Sequence, residues 1–310
     1  MGLQKDNLII IKGESRMKQL KKRFNTKSQA KFYMQTKGIN IDQVESEDAA
    51  IERSVEAAQK ISNNMMRTQV VEQNFLPNFS FGEDDVVVVI GHDGLVANTA
   101  KYVHNKPILG VNPDPTLYDG ILLPFTLDNY EKAVERVKKN KYQFKRVTMA
   151  EAKLNDGQRL LAFNDFFIGH QSHKSARYKI NFQNKEENQS SSGIIVSTGA
   201  GSTGWLSSLI NMANCISSQF GSNAPVQQQH MSWETDKLVF IVREPFLSRA
   251  SSIKLTTGFL TNQYPLQLES SMPKEGVIFS DGVMDDFIAF NSGAIVTIGI
   301  AEEKAILVTG

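Results

Sequence analysis

Apolar residues in the first half of the chain gather in short unbroken runs. Leu8–Ile11 runs on to Gly13, and Val86–Ile90 runs straight into Gly91. Runs of this length, rich in β-branched side chains, read as strands covered on both faces, as in a parallel sheet. Pro107–Val111 reads the same way. Between these runs the apolar positions fall at helical spacing. Helices are expected over 15–24 and 27–37, the second with Thr26 as N-cap and Gly38 just past its end. Ile51, Val55, Ala58 and Ile61 mark an amphipathic helix over 47–62. Another is expected over 95–104, and Thr126 opens one over 127–139. Strand alternating with helix over roughly 140 residues predicts a doubly wound α/β domain with a mostly parallel sheet.

The period changes near residue 143. Residues 176–182 alternate strictly, with Ala176, Tyr178, Ile180 and Phe182 on one face. Strands are also expected over 193–198, 237–243, 252–257, 276–280, 287–290 and 294–299. One helix interrupts them, from Thr203 to about Gln219. The polar segment 184–193 is expected to be a hairpin loop. Two domains follow from this change of period: an α/β domain over 1–143, and a β-rich, mostly antiparallel domain over 144–310. The last strand or strands are expected to return to the first domain.

Composition alters this picture little. Apolar residues at 41% and charged residues at 22% are ordinary for a globular protein, and the net charge of +1 gives no push toward nucleic acid or membrane. Arg16 to Lys37 holds eight basic residues and no acid, but an acidic stretch from Asp42 to Glu56 follows. Two solvated helix faces are the expectation, with a phosphate or partner site as the alternative. The single Cys215 excludes an intramolecular disulfide, and His170 and His173 have no third ligand at a zinc spacing. The apolar run after MGLQKD is too short for a signal peptide or a membrane span, and Asp6 stands where a myristoylation signal after Gly2 needs Ser or Thr. A cytoplasmic protein is expected.

Candidate chemistry sits at four places. In VVVVIGHDGLVANTA (86–100) a buried strand delivers a loop to the carboxyl edge of a sheet, ahead of a helix N-terminus suited to phosphate. Gly91 and Gly94 leave room for the backbone to turn and for a ligand to approach. Asp93 beside such a site holds a metal, takes a proton from a hydroxyl, or merely caps the helix. In LLAFNDFFIGH (160–170), Asn164 and Asp165 place polar side chains where burial is expected, so each needs a partner. In SGIIVSTGAGSTGW (192–205), Gly199 and Gly201 permit close approach, while Ser202 and Thr203 have hydroxyls to donate to phosphate or ribose. Trp205 is equally suited to stack on a base or to fill the core. Asp281-Gly282, taken alone, reads as a hairpin turn.

Together these segments resemble the NAD kinase family. Its G-G-D-G-T loop, N-E pair, T-P-T-G-S-T-A-Y-like turn and late D-G appear in the same order here as GHDGL (91–95), ND (164–165), STGAGSTGW (197–205) and DG (281–282). The segment GVNPDP (110–115), the SSG before the third strand, TGAGS and the closing tryptophan are closer to the mitochondrial-type members and their bacterial relatives. The resemblance implies transfer of the γ-phosphoryl of ATP, or of another phosphoryl donor, to the 2′-hydroxyl of the adenosine ribose of NAD. It makes Asp93 the general base and puts Gly91, His92 and Gly94 in the phosphate loop. It assigns Asn164, Asp165, Thr203, Gly204, Trp205 and Ser208 to NAD, with Gly199, Gly201 and Ser202 in the glycine-rich turn and Asp281 as a further site residue. It also implies Mg²⁺ bound through the phosphates rather than by protein ligands, small-molecule nucleotides as partners, and a homodimer or homotetramer. Four positions depart from the pattern: His92 for glycine, Leu95 for threonine, Asp165 for glutamate, and Ser192 for an aspartate found in many bacterial members. They leave two other readings open, a nucleotide-binding sensor that has lost turnover and a lipid kinase of the diacylglycerol or sphingoid type.

Overall fold

The computed structural model describes residues 7–24, 26–221, 226 and 230–310. Gly2 and Asp6 lie outside them. The chain divides into two compact units, 1–145 with 306–310, and 146–305.

In the first unit, β1 (Asn7–Lys12) leads to α1 (Arg16–Phe24), α2 (Lys27–Thr36) and α3 (Ile41–Asn63). Then come β2 (Arg67–Glu72), β3 (Asp85–Ile90), α4 (Asp93–Val103), β4 (Pro107–Val111) and α5 (Leu127–Lys138). The strands lie parallel in the order β2-β1-β3-β4, with Ile306 and Leu307 at the end of the last strand continuing the sheet beside β4. Every residue of β3 is buried, which explains its lack of alternation: both faces are covered.

Thr26 caps α2, its hydroxyl accepting from the Gln29 amide. The helix expected from residue 47 begins at Ile41, because Asn40 supplies the cap and accepts from the Gln43 amide. α3 buries Ile51, Val55, Ala58 and Ser62 on one stripe. Ser62 and Tyr130 of α5 share a buried hydroxyl–hydroxyl bond of 2.5 Å.

The basic and acidic runs answer one another. Glu45 binds both Lys27 and Lys31, Glu52 binds Lys12, and Asp48 takes the Ser15 hydroxyl.

The second unit contains β5 (Gln143–Leu154) from Arg146 onward, β6 (Arg159–Ala162), β7 (Asp165–His170), β8 (Ala176–Phe182), β9 (Lys185–Ser191) and β10 (Ile194–Ser197). After α6 (Trp205–Gln219) come β11 (Leu238–Val242), β12 (Thr257–Leu260), β13 (Leu266–Ser270), β14 (Gly276–Ser280), β15 (Val283–Ala289) and β16 (Ile295–Thr309). A six-stranded antiparallel sheet runs β12-β11-β10-β7-β14-β15. Opposite it in the core are β8, β13 and the first part of β16, with the inward Tyr178, Ile180 and Phe182 packing as the alternation predicts.

Two expectations fail here. Residues 184–193 are not a loop: the turn is confined to Gln183 and Asn184, both at positive φ, and the polar residues form β9. β9 is an edge strand, where outward polar positions are the rule. The strand expected over 252–257 lies at 257–260 instead. Ser252 and Leu255 bond to the β9 edge, to the Asn188 carbonyl and the Glu187 carboxylate.

Removing either hydroxyl of the Ser62–Tyr130 pair leaves the other buried without its partner. Ser62→Ala and Tyr130→Phe should each cost about 1–2 kcal/mol in urea unfolding. The double variant should cost less than the two added together.

Candidate functional site

Two groups of the expected residues form, one in each unit. In the first unit, Gly91 directly follows β3 and Asp93 is the first residue of α4. Asp93 is not the helix cap. That position is His92, whose backbone is extended at φ −111° and whose side chain caps nothing. The Asp93 carboxylate instead reaches across the chain and accepts from the Leu122 amide at 2.6 Å.

The segment that supplies Leu122 leaves β4 at Asn112 and returns at Phe125. Asn112 closes its start, donating to the Tyr118 carbonyl and accepting from the Asp114 amide. Tyr118 donates to Glu47 of α3. At Gly110 a Cβ would lie 2.0 Å from the Leu122 carbonyl oxygen, so this segment closes over β4 only because residue 110 has no side chain.

Gly91 and Gly94 serve space rather than unusual dihedrals, since neither has positive φ. A Cβ on Gly91 would meet the Leu95 side chain at 3.0 Å, and one on Gly94 would meet His92 Nδ1 at 3.1 Å. Leu95, where the family pattern has threonine, is fully buried against Gly13 and Gly91. His92 occupies no glycine-only conformation. Its ring lies beside Gly94, and the residue is exposed. It is desolvated enough to hold the imidazole below its ordinary pKa, against the opposing pull of Asp93 and Glu47.

In the second unit, strand order does the gathering. β7 starts at Asp165, opposite Ser197 where β10 ends, and Phe166 pairs with Ser280 where β14 ends. The N-D pair, the glycine-rich turn and the D-G turn therefore share one end of three adjacent strands. Asp281 accepts from the amides of Phe163 (3.0 Å), Asn164 (2.6 Å) and Asp165 (3.4 Å). Its own amide donates to the Asp165 carbonyl at 3.0 Å. Asn164 is half-buried and Asp165 buried. Burial, reinforced by the charge of Asp281, pushes the Asp165 carboxyl up to about 7.

The glycines of the turn admit backbone, not ligand. A Cβ on Gly199 would lie 2.0 Å from the Ser232 carbonyl oxygen, and one on Gly201 2.2 Å from that of Asn164. The Ser202 hydroxyl is buried and donates to the Gly199 carbonyl, so it is not offered to phosphate. Thr203, Gly204 and Ser208 are exposed.

Trp205 is half-buried against the core. Its ring stacks on Phe167 at 5.9 Å, with the Arg243 guanidinium 5.4 Å from its centroid. Sequence reasoning missed Thr198, a fully buried residue inside the motif. Its hydroxyl donates to the Phe163 carbonyl at 2.6 Å and accepts from the Gly201 amide. Beyond Trp205 an apolar groove of about 700 Å³ runs along α6, lined by Leu209, Met212 and Ile216 with Val239, Ile241 and Phe259.

Among the described residues, no group of three or more His, Cys, Asp or Glu is placed to hold a metal ion, and no helix is long and apolar enough to cross a membrane.

No family model matches the chain. It is 30% identical over 127 residues to an NAD kinase of Saccharolobus islandicus, an alignment covering 41% of this chain and 49% of that protein. Against an NAD kinase of Saccharolobus solfataricus it is 28% identical over 158 residues, covering 51% and 57%. The chain thus spans about half the length of the curated relatives it matches.

In three dimensions the likeness covers nearly all of it. The crystal structure of yeast NADH kinase complexed with NADH superposes with a TM-score of 0.61 at 14% identity, covering 99% of this chain and 84% of that one. An NAD kinase from Archaeoglobus fulgidus in complex with ATP gives 0.56 at 15% identity, covering 97% and 92%. The chain has the NAD kinase fold.

Two outcomes follow from this geometry. Within the NAD kinase fold of this chain, Gly201→Ala should destabilise the protein by about 3 kcal/mol in urea unfolding, because backbone must move to admit the methyl group. Thr203→Ala, on the exposed side of the same turn, should cost less than about 0.5 kcal/mol. Asp165 binds its proton more tightly folded than unfolded. Its contribution is complete below its ordinary 3.8 and is lost as pH rises through about 7. Asp165→Asn should therefore gain stability relative to the parent between pH 5 and pH 8, by up to roughly 2.5 kcal/mol, read as a widening difference in Tm.

Proposed function

We propose that this protein is an NAD kinase that transfers the γ-phosphoryl of ATP to the 2′-hydroxyl of the adenosine ribose of NAD. The observation that carries the reading is the Asp93 carboxylate, oriented by the Leu122 amide at the start of a helix that follows a fully buried parallel strand. A helix start in this setting presents unpaired amides and a positive dipole end to phosphate, and a carboxylate there serves to accept the proton of an attacking hydroxyl. The similarity to curated NAD kinases supports the substrate class.

In this reading Asp93 is the general base, and Gly91, His92 and Gly94 face the phosphates. With its pKa lowered, His92 is neutral at pH 7 and leaves the charge of the loop unchanged. Asn164, Asp165, Thr203, Gly204, Trp205 and Ser208 hold the dinucleotide. The described side chains offer no cage for a metal. Mg²⁺ belongs to the reading as a companion of the nucleotide phosphates, where it would neutralise their charge. A cytoplasmic homodimer or homotetramer completes the proposal.

The apolar groove along α6 favours a second reading, phosphorylation of a lipid hydroxyl with the acyl chain in the groove.

Purified protein given ATP, Mg²⁺ and NAD should form NADP. Asp93→Asn should lower turnover by on the order of 10² to 10⁴-fold while NAD still binds. NAD binding without NADP from the parent protein would leave a sensor. Phosphorylation of diacylglycerol or a sphingoid base in micelles, with NAD untouched, would establish the lipid reading instead.

A further inference from the structure

From the ring of bonds joining the D-G turn to the N-D corner, we infer that Asp281 is a positioning residue. It fixes Asn164 and Asp165 through the backbone and makes Asp165 the proton-bearing member of a carboxyl pair, so that the corner offers a ligand a donor as well as acceptors. The inference rests on the dinucleotide reading above for the identity of that ligand.

The geometry is closed. The Asp281 carboxylate receives three successive amides, and the Asp281 amide returns a bond to the Asp165 carbonyl. Neither segment can rotate without breaking several of these bonds. Asp281 stands at φ +54° and Gly282 at +72°. Two successive left-handed residues make the tight hairpin turn that ends β14, and Asp or Asn tolerates the first of these positions where most side chains do not. A smaller polar residue would keep the turn but could not span three amides.

Charge follows from the same contacts. Three N–H donors favour the ionised form at Asp281, and a second ionised carboxylate beside it is opposed. Asp165 is buried. Around it β10 presents Ser197 opposite, and β14 presents Ser280 and Asp281. Asp165 is held near 7 by burial first and by Asp281 second. A protonated Asp165 donates to a hydroxyl or carbonyl oxygen of the ligand, and the half-buried Asn164 beside it adds a carboxamide.

The test uses the full chain with ¹³C-labelled aspartate, followed by NMR from pH 5 to pH 8. In the parent protein Asp165 should titrate near 7, while the amide protons of Phe163 and Asn164 stay constant because the Asp281 carboxylate goes on accepting them. Asp281→Asn, which suits the same left-handed turn, should move the Asp165 midpoint down by about one unit. It should also speed exchange of the three amides by at least about tenfold.

A midpoint unmoved in the variant would overturn the inference. So would parent amides that follow the Asp165 titration, and that result is decisive even where the variant does not fold. NAD affinity of the parent should fall by about tenfold from pH 6 to pH 8. NAD bound equally at both pH values would overturn the donor role. The carboxyl titrations as expected, with no NAD bound at either pH, would support the pair and remove the dinucleotide reading alone.

Discussion

The amides of Phe163, Asn164 and Asp165 leave the chain at a corner where no neighbouring strand takes all three, and a single carboxylate does. Buried donors without partners cost about 1–3 kcal/mol each, so this corner exists only because Asp281 is delivered to it. The partners are 117 residues apart for the shortest of the three bonds. Delivery depends on β14 lying beside β7 and ending one residue before the aspartate. Thr198 secures the other side of the corner, taking the Phe163 carbonyl with its hydroxyl and the Asn164 carbonyl with its amide. The glycine at 201 lets that turn come close enough. Three polar motifs thus become one structure through hydrogen bonds to backbone groups rather than through contacts between their side chains.

The first unit solves a different problem with the same means. Its parallel strands are buried on both faces, so chemistry is confined to where they stop. β1 and β3 stop side by side at Gly13 and Gly91, and Leu95 fills the space above them. That packing accounts for a leucine where the family pattern has threonine. The loop can still hold Asp93 in one orientation because the segment after β4 folds back across Gly110 and presents the Leu122 amide. His92, which stands where a second glycine is the family's rule, has ordinary extended backbone and settles beside Gly94. The departures in this loop change what fills the space around it and leave its backbone path unstrained.

Much of this architecture was legible because burial leaves a periodic trace. The runs at Leu8–Ile11 and Val86–Ile90, and the alternation through Ala176 to Phe182, each reproduce the environment that the strand occupies. The trace fails where burial is partial. β9 is an edge strand with mostly polar side chains, and composition alone reads it as a loop. The start of α3 was missed because Asn40 and Asp42 resemble turn residues as much as a helix opening. The order of the four polar motifs pointed to the NAD kinase fold, but their spacing says nothing about which atoms pair.

Sequence alone therefore settled which class of fold the chain adopts and put forward the residues proposed for its chemistry, since apolar period and motif order are properties of the chain taken one residue after another. Tertiary structure decided what each of those residues does. Gly199 and Gly201 make room for backbone rather than ligand, Ser202 bonds within its own turn, and Trp205 rests on Phe167. Asp281 turns from a hairpin residue into the acceptor for a whole corner. These roles depend on partners brought together by strand order, and a linear pattern carries no record of which groups will be close enough to bond.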